Sequence, residues 1–361
     1  MNSDVVLLLG RKDQPTDAVE EYCRYLCEAL SRHSVTGEIV RVPWNECGWK
    51  DAVAELRRKA QNWRDRWVFL QYTALAWSER GFPRRVLRVG RALREAGARL
   101  GIVFHDVEPF AGARAVDVLR RQTQLVTMRQ MLRAADLAVF TVSLEAISWL
   151  KPTDKTIFIP VGANLPEMQL SDNVARGTDR TRISVYGITG GAAGSEECSE
   201  IAGALRFATE RGAKLELHAF GRGAAERETE LREQLKGLPL PIRVDGLLPV
   251  GRIVFSFQAA DATLFVRGPI SSRRGSAIAG IACGKPVIAY RGRETATPIT
   301  EAGVVLVERN KPNELGEAVL RLATDRGLLE ELSKRSARAQ ERFFSWRAIA
   351  DRYIEAMRLK A

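Results

Sequence analysis

The sequence contains few histidines and cysteines, and neither type has the spacing of a metal site. Among 361 residues there are three histidines and five cysteines, with no C-x-x-C pair. An odd number of cysteines without such spacing argues against a disulfide framework and against structural zinc. Cys23 and Cys27 share a helical stripe with Tyr22 and Leu26, which indicates packing in a core. We therefore expect no metal.

Long hydrophobic runs are also missing. The longest apolar stretches, such as residues 5–9 and 136–142, are much shorter than the roughly 18 residues that span a bilayer. The N-terminal residues lead directly into an apolar run, without the basic region and cleavage site of a secretory signal. These features predict a cytoplasmic protein with no transmembrane helix.

Acidic residues are outnumbered by basic ones. There are 55 Lys and Arg against 44 Asp and Glu, a net charge of +11, and residues 51–100 alone carry +7 of it. Such an excess favours contact with phosphates, anionic lipid or nucleic acid. Because no recognised nucleic-acid motif with stacking aromatic residues is present, we expect no nucleic-acid partner.

The basic residues of the 83–96 segment follow a helical spacing. Arg84, Arg88 and Arg91 would form one stripe of a helix. The positions predicted to face inward are Val86, Val89, Leu93 and Ala96. The tryptophans near this stripe in the sequence are Trp63, Trp67 and Trp77. Together these residues predict a surface suited to anionic lipid, where each basic side chain contributes about 1 kcal/mol; the alternative is a solvated basic face.

The length fits two domains, and the order of elements predicts their class. Short β-branched runs alternate with helical stretches, which is typical of doubly wound parallel sheets. Strands are predicted near 5–9, 38–42, 67–71, 100–104, 137–140, 156–159, 182–186, 214–219, 242–244, 262–265, 286–289 and 304–307. Helices of the second half are predicted near 196–211, 224–235, 251–259, 274–283 and 312–342. The polar stretch 165–180 is the best domain boundary.

Ligands of open α/β sheets bind at the carboxyl ends of strands, so the loops there are candidate sites. Gly10 and Arg11 follow the first strand and precede a helix that Asp17 would cap, although an ordinary turn explains them equally well. His105 and Asp106 follow another strand, where a histidine can donate to a sugar hydroxyl or phosphate. A structural histidine is the alternative there.

Two loops of the second half have features of phosphate sites. Gly187, Gly190 and Gly191 belong to a glycine-rich loop before a helix that Ser195 would open, and exposed backbone N–H groups can hold phosphate oxygens. The other loop has three arginines, Arg267, Arg273 and Arg274, before a helix of small residues. Guanidinium groups pair bidentately with phosphate, and a helix N-terminus adds about 0.3–1 kcal/mol. A flexible linker and a solvated charge cluster are the respective alternatives.

The segment A-C-G-K-P-V-I-A at residues 282–289 resembles a motif of nucleotide-sugar-dependent glycosyltransferases with the GT-B fold, in particular retaining family 4. Further segments in the same order as in that family lie at 68–72, 80–83, 104–106, 158–162 and 344–346. The resemblance implies two Rossmann-like doubly wound parallel-sheet domains facing a cleft. It implies an acceptor-side domain over 1–170, a donor domain over 171–345, and a helix over 346–361 that returns to the first domain.

The chain departs from that family at the two glutamates that usually precede the motif. Counting back places Ser271 and Ala279 there, and Ile188 stands where the family has a basic residue. Phosphate binding is therefore expected to rest on the arginines. The implied donor-binding residues are Gly187, Gly190, Gly191, Arg267, Ser271, Arg273, Arg274, Gly275 and Ser276. The implied catalytic residues are His105 and Asp106, and the acceptor-side residues are Gly10, Arg11 and Tyr72.

The resemblance implies transfer of a sugar from a nucleoside diphosphate to an acceptor hydroxyl, with retention at the anomeric carbon and without a metal or another cofactor. The acceptor would be a saccharide or a lipid-linked or protein-linked group of bacterial polysaccharide or glycoconjugate biosynthesis. Residues 51–100 would place the protein peripherally at the inner face of a membrane. Because both glutamates are missing, a catalytically silent protein that binds a nucleotide-sugar or a partner enzyme is the alternative.

Overall fold

The computed structural model describes residues 4–14, 17–166, 179–311 and 313–360. The chain forms two compact units, one of Met1–Asn164 with Trp346–Ala361 and one of Leu165–Ser345. We call them unit 1 and unit 2. Most of the predicted boundary at 165–180 lies outside the described residues, because 167–178 are not among them.

The sheet of unit 1 consists of parallel strands that are covered on both faces. Its strands are β1 (Val5–Leu9), β2 (Gly37–Arg41), β3 (Trp67–Tyr72), β4 (Arg99–Phe104), β5 (Leu137–Phe140) and β6 (Thr156–Phe158). They lie in the order β2-β1-β3-β4-β5-β6. Every residue of β1 and β3 is buried, as expected for parallel strands with helices on both sides.

Unit 2 has a second parallel sheet. Its strands are β7 (Thr181–Tyr186), β8 (Leu215–Phe220), β9 (Ile242–Val244), β10 (Ala262–Phe265), β11 (Val287–Tyr290) and β12 (Val304–Val307). Their order is β12-β11-β10-β7-β8-β9. The predicted strands of both halves are confirmed, with ends that differ by at most one residue. The central strands, such as β1, β3, β10 and β11, were recognisable because strands buried on both faces read as continuous apolar runs.

Helices flank both sheets. They are α1 (Ala18–Ser31), α2 (Gly48–Ala60), α3 (Val86–Glu95), α4 (Ala115–Ala134), α5 (Gly191–Glu210), α6 (Glu228–Gln234), α7 (Val250–Ala259), α8 (Gly275–Ala282), α9 (Glu314–Thr324), α10 (Arg326–Ala339) and α11 (Trp346–Leu359). In the described residues, none of them is long and apolar enough to cross a bilayer.

Three helix predictions for the second half are wrong in detail, and one of them, the helix over 196–211, already begins at Gly191. The helix predicted over 312–342 is two helices, because Asp325 takes an extended conformation after α9 and its carboxylate accepts the Leu328 N–H at 2.9 Å to cap α10. The helix predicted over 224–235 begins as a 3-10 turn at Ala225–Arg227, and α6 follows it.

The face of α3 agrees with the predicted pattern, but the tryptophans do not. Val86, Val89 and Leu93 are buried, and Arg88 and Arg91 are exposed. The predicted segment 83–96 is not helical throughout: exposed Arg84 lies in the 3-10 turn Pro83–Arg85, and Ala96, half-buried, follows the end of α3. The three tryptophans proposed to lie beside this stripe, Trp63, Trp67 and Trp77, are all buried in the core of unit 1. Their large apolar rings fill the space between the sheet and its helices, so the prediction that they accompany a lipid-facing surface is wrong.

The segment after residue 345 belongs to unit 1. Helix α11 packs against α1, and the Trp346 indole donates from Nε1 to the Ala163 carbonyl at 3.0 Å. The Trp346 ring stacks on Tyr25 with a centroid distance of 5.4 Å. The hydroxyls of Tyr22 and Tyr353 are hydrogen-bonded at 2.9 Å, and both side chains are buried. These contacts close the core on one face of the first sheet.

Candidate functional site

The order of strands in unit 2 reverses between β7 and β10. Chain order runs outward from β7 to β8 and β9 on one side and from β10 to β11 and β12 on the other. Loops that leave two such strands turn to opposite faces of the sheet and open a crevice between them. The loops after β7 and β10 are the glycine-rich loop and the arginine loop of the sequence, so both candidate phosphate sites lie at this crevice.

The loop after β7 is held by main-chain hydrogen bonds. Gly187 has a φ of +77° and its N–H donates to the Phe220 carbonyl at 2.8 Å, while the Thr189 N–H donates to the Glu197 carboxylate at 2.8 Å. Gly190 is the N-cap of α5. The prediction that Ser195 opens this helix is wrong, since α5 already begins at Gly191. The glycine-rich loop is thus shorter than expected and ends directly in a helix N-terminus.

Arg267 lies against this loop. Its Nε donates to the Thr189 hydroxyl at 3.4 Å. A Cβ placed on Gly187 would lie 3.0 Å from Nη1 of the same guanidinium. The absence of a side chain at Gly187 therefore leaves room for the arginine, which explains why a glycine is suited to this place.

Arg273 is held by a carboxylate that the sequence reasoning missed. Its Nε and Nη2 donate to the two oxygens of Glu294 at 2.8 and 3.1 Å. Burial alone would raise the pKa of Glu294, but the hydrogen bond and charge of Arg273, with smaller contributions from Ser271 and Arg274, bring that pKa below its usual range. Glu294 is therefore ionised and fixes the guanidinium plane.

Arg274 has the most unusual surroundings of the three arginines. Burial lowers its pKa, and the charges of Arg273 and Arg267 lower it further, against the opposing effect of Glu294. Its Nε is buried without a hydrogen-bond partner among the described residues. A buried donor left without an acceptor costs about 1–3 kcal/mol. An anion bound beside Arg274 would supply both an acceptor and a compensating charge.

The remaining predicted donor residues surround these arginines. Arg274 is the N-cap of α8, and Gly275 and Ser276 form its first turn, where N–H groups point away from the helix. Ser271 is buried just before the arginines. The structure thus places the predicted donor residues at the ends of the two neighbouring strands β7 and β10.

Unit 1 also has a point where its strand order reverses, between β1 and β3. A cavity of about 230 Å³ lies there. It is lined by Leu9, Gly10, Arg11, Asp13, Asp17, Ala18, Val19, Arg41, Gln71, Thr73, Leu75, Ala76 and Asp106. Three of the predicted residues, Gly10, Arg11 and Asp106, are therefore part of one cavity wall.

The floor of this cavity contains a paired arginine. Arg41 donates to the Gly10 carbonyl at 2.7 Å and to the Asp17 carboxylate at 3.2 Å, and it lies 3.1 Å from Glu20. Asp17 also caps α1, as predicted, by accepting the N–H groups of Val19 and Glu20 at 3.1 Å each. Because the charge of Arg41 is balanced by two carboxylates, the floor presents polar atoms without an excess of positive charge.

His105 follows β4 and is oriented by a buried glutamine of β3. Its Nε2 lies 2.8 Å from Oε1 of Gln71, and the Gln71 amide donates from Nε2 to the Phe69 carbonyl at 3.2 Å. Because Oε1 can only accept, Nε2 of His105 carries the proton. Asp106 accepts the Ala74 N–H at 2.7 Å. The edge of the His105 ring contacts Tyr22, with a centroid distance of 5.2 Å.

Tyr72 does not line the cavity. Its side chain is fully buried against Phe104, with ring centroids 5.4 Å apart, and its hydroxyl has no hydrogen-bond partner among the described residues. Burial, together with the charge of Asp106, raises its pKa. Its predicted acceptor-side role stays a prediction, which its position in the core does not support.

Sequence reasoning missed Gln71, Arg41 and Glu294. Gln71 is the one polar residue in the apolar strand W-V-F-L-Q-Y, and a polar side chain in a buried strand is an informative signal. Glu294 follows the end of β11 in the loop R-G-R-E. A carboxylate at the carboxyl edge of a parallel sheet is a signal for a functional residue. No group of three potential metal-ligating side chains was found in the described parts of the chain.

No protein-family model matches this chain, and no curated protein matches it either. Solved structures do. Sucrose-phosphate synthase from Thermosynechococcus elongatus matches with a TM-score of 0.71 and 17% identity, over 99% of this chain and 98% of that one. A glycosyltransferase from Rickettsia africae gives 0.69 and 13%, over 100% and 99%. Anabaena HepE in complex with UDP and glucose gives 0.65 and 16%, over 98% and 99%.

The chain has the GT-B fold. This confirms the predicted architecture of two Rossmann-like parallel-sheet domains. Within this GT-B chain, the crevice of unit 2 contains the three arginines, and the crevice of unit 1 contains the polar cavity. At these levels of identity the likeness concerns the fold, so the chemistry must be argued from the residues at the two crevices.

Proposed function

We propose that this protein is a glycosyltransferase that moves a sugar from a nucleoside-diphosphate sugar to an acceptor hydroxyl. The observation that carries the proposal is the buried, incompletely hydrogen-bonded Arg274 beside Arg267 and Arg273 at the crevice of unit 2. Such a group of cations at a helix N-terminus suits a diphosphate. The likeness to HepE, whose structure contains UDP and glucose, supports a nucleotide-sugar as the ligand.

In this proposal the arginines act mainly on the departing diphosphate. As the bond from the sugar to the diphosphate breaks, negative charge develops on the leaving oxygens. Arg267 and Arg274, with the first N–H groups of α8, would stabilise that charge, and Glu294 would hold Arg273 in place for the same task. Cations already present at the site make a divalent ion unnecessary, which is why we propose a metal-independent reaction.

We further propose that the sugar is transferred with retention of anomeric configuration. The diphosphate itself would accept the acceptor proton on the face from which it leaves, so the protein supplies position and charge rather than a nucleophile. The side chains described at both crevices agree with this division, because they consist of hydrogen-bond donors, held carboxylates and one oriented histidine.

Unit 1 would hold the acceptor. Its cavity has polar atoms and balanced charges, which suit the hydroxyl groups of a saccharide. We propose that the acceptor is a saccharide, free or linked to lipid or protein, used in building a polysaccharide or glycoconjugate. The exposed arginines of residues 51–100 would keep unit 1 at an anionic membrane surface, peripherally and on the cytoplasmic side.

Binding and turnover test the proposal separately. We expect uridine, guanosine or adenosine diphosphate to raise the melting temperature, because a ligand that binds only the folded state at about 100 times its Kd stabilises it by about 2.7 kcal/mol. The matching radiolabelled nucleotide-sugar should then release its sugar to water or to an acceptor. Binding without any release would favour a catalytically silent protein, for which the missing glutamates at Ser271 and Ala279 argue. Absence of any thermal shift would refute both.

Gln71 should affect turnover without affecting the donor site. In Gln71→Met the acceptor for His105 Nε2 is lost, and with it a hydrogen bond that favours one tautomer and one orientation of the ring. We expect kcat for transfer to fall about tenfold, in line with the loss of a positioned polar group, while the thermal shift with the diphosphate stays unchanged. Gln71→Glu keeps an oxygen at this place and should restore most of the activity. Equal activity in Gln71→Met and the wild type would show that His105 takes no part.

A further inference from the structure

Helix α4 of unit 1 presents apolar side chains to solvent. In the described residues, ten large hydrophobic side chains are exposed, and four of them lie on this one helix. They are Val116, Val118, Leu119 and Val126. Leu119 is 61% exposed and Val126 is 47% exposed. Single exposed apolar residues are ordinary, but a group on one helix indicates a contact surface.

The helical positions place three of the four, Val118, Leu119 and Val126, on one face, whereas Val116 lies to the side of it. The opposite side of α4 packs inward through Gln124, Thr127, Met128 and Met131. Val118, Gln122 and Val126 follow each other at four-residue intervals on the outer side, with Leu119 adjacent, and Arg129 and Arg133 continue the same row. All of these outer residues are exposed. The outer face is therefore apolar over its first part and basic toward its C-terminal end.

The charge of this face is positive. Asp117 is the acidic residue of α4, and it is buried with its carboxylate on Arg114 and Arg120. No acidic side chain of α4 thus reaches the outer face. Helix α3 packs beside α4 and exposes Arg88 and Arg91, Arg84 is exposed in the turn before it, and α2 packs beside α3. The positive charge of these neighbouring helices would be complementary to an anionic partner.

The combination of aliphatic and basic side chains decides which anionic partner fits. A single-stranded nucleic acid is usually bound through stacking aromatic side chains, and α4 contains no aromatic residue. A bound small anion would not need exposed Leu and Val. A helix that lies in the plane of a lipid surface needs both, with its apolar side chains among the headgroups and its cations on anionic lipids.

We propose that α4 is the helix through which unit 1 docks on an anionic lipid bilayer. Val118, Leu119 and Val126 enter the boundary between headgroups and acyl chains. Arg129, Arg133 and the arginines of α3 contact the headgroups. This inference rests on the proposed membrane-facing role of unit 1 and not on the transfer reaction. In this proposal the apolar contact with the lipid is made by α4, since Trp63, Trp67 and Trp77 are buried in the core.

The test is co-sedimentation of the full chain with vesicles of phosphatidylcholine, with or without phosphatidylglycerol. We expect binding only to the mixed vesicles. The double variant Leu119→Ser with Val126→Ser should lower the vesicle partition coefficient about tenfold, which is a partial loss of two buried aliphatic side chains. Leu119→Phe should raise it. The matched control is Leu247→Ser with Phe255→Ser, which removes two exposed apolar residues of unit 2 and should change nothing.

Two further measurements separate the ways in which the inference can fail. The variant with Arg84, Arg88 and Arg91 changed to Glu tests the basic layer alone. If it loses binding while the α4 variants bind like the wild type, the membrane role of unit 1 stands and the inference on α4 is overturned. If the wild type binds neither vesicle, both fail. If sedimentation velocity shows a wild-type dimer that the α4 double variant converts to a monomer, α4 covers a second copy and the lipid inference is wrong.

Discussion

Replacing Arg274 with methionine should remove most of the affinity for a nucleoside diphosphate without unfolding unit 2. The guanidinium is buried, its Nε lacks a hydrogen-bond partner among the described residues, and two neighbouring arginines repel its charge. Each hydrogen bond from a charged group to the diphosphate is worth about 1.5–3 kcal/mol, which corresponds to about ten- to hundredfold in Kd. Titration calorimetry with the diphosphate that gives the largest thermal shift would measure this loss.

Although Arg274→Met should lower diphosphate affinity, it should not lower the stability of the ligand-free protein. A buried charge without full compensation is costly, and replacing it by an apolar side chain of similar length is often neutral or stabilising. We therefore expect the melting temperature of Arg274→Met without ligand to be equal to or above that of the wild type. Arg232→Met, which removes an exposed arginine of the same unit, is the control and should leave diphosphate affinity unchanged. Full diphosphate affinity in Arg274→Met would contradict the assignment of the phosphate site.

Gly194→Ala should damage both the stability of unit 2 and its donor site. A Cβ at this position would lie 1.8 Å from the Thr189 carbonyl oxygen and 2.9 Å from Arg227 Nε. Moving Thr189 away from the new Cβ would cost free energy, because its main-chain N–H donates to Glu197 and its side-chain hydroxyl accepts from Arg267. Overpacking of this kind costs about 1–3 kcal/mol. The displaced loop should also weaken diphosphate binding, because Arg267 loses its partner.

The same helix offers a matched control. Gly203 lies in the middle of α5, and a Cβ there would meet nothing within 4 Å. Gly203→Ala should therefore stabilise the protein by about 0.5–1 kcal/mol, since alanine loses less conformational freedom in a helix than glycine. Urea unfolding of both variants measures the free energies. If the two substitutions have the same effect, the close approach of α5 to the loop is not as tight as the structure indicates.

The fold and the candidate site differ in how far the sequence predicts them. The central strands were predictable because burial on both faces requires a continuous apolar run such as V-V-L-L-L, which is visible in the local sequence. Their carboxyl ends then indicated the loops with Arg267 and His105. The local sequence does not show which side chains of different loops contact each other. The contact of Arg273 with Glu294 joins two separate loops, and its existence depends on which strands become neighbours.

The errors have the same origin. The tryptophans looked like surface residues because arginines surround them in the sequence, but β3 and the turn before it carry two of them into the core. Gln71 looked like one more strand residue, although a single polar side chain in a buried strand must find a partner, and here that partner is His105. In both cases the surroundings of the side chain come from residues distant in the sequence, so its sequence neighbours do not indicate whether it is buried or what it contacts.

The position of α11 has a consequence for the order in which the chain folds during synthesis. Unit 1 contains both Met1–Asn164 and Trp346–Ala361, and Tyr353 and Trp346 fill its core against α1. A ribosome that has made only the first part leaves the apolar face around Tyr22 and Leu26 uncovered until more than 180 further residues have been added. Unit 2 is continuous in sequence and can close its core earlier. Domains usually fold from the N-terminus onward, whereas here we expect unit 2 to complete its core before unit 1.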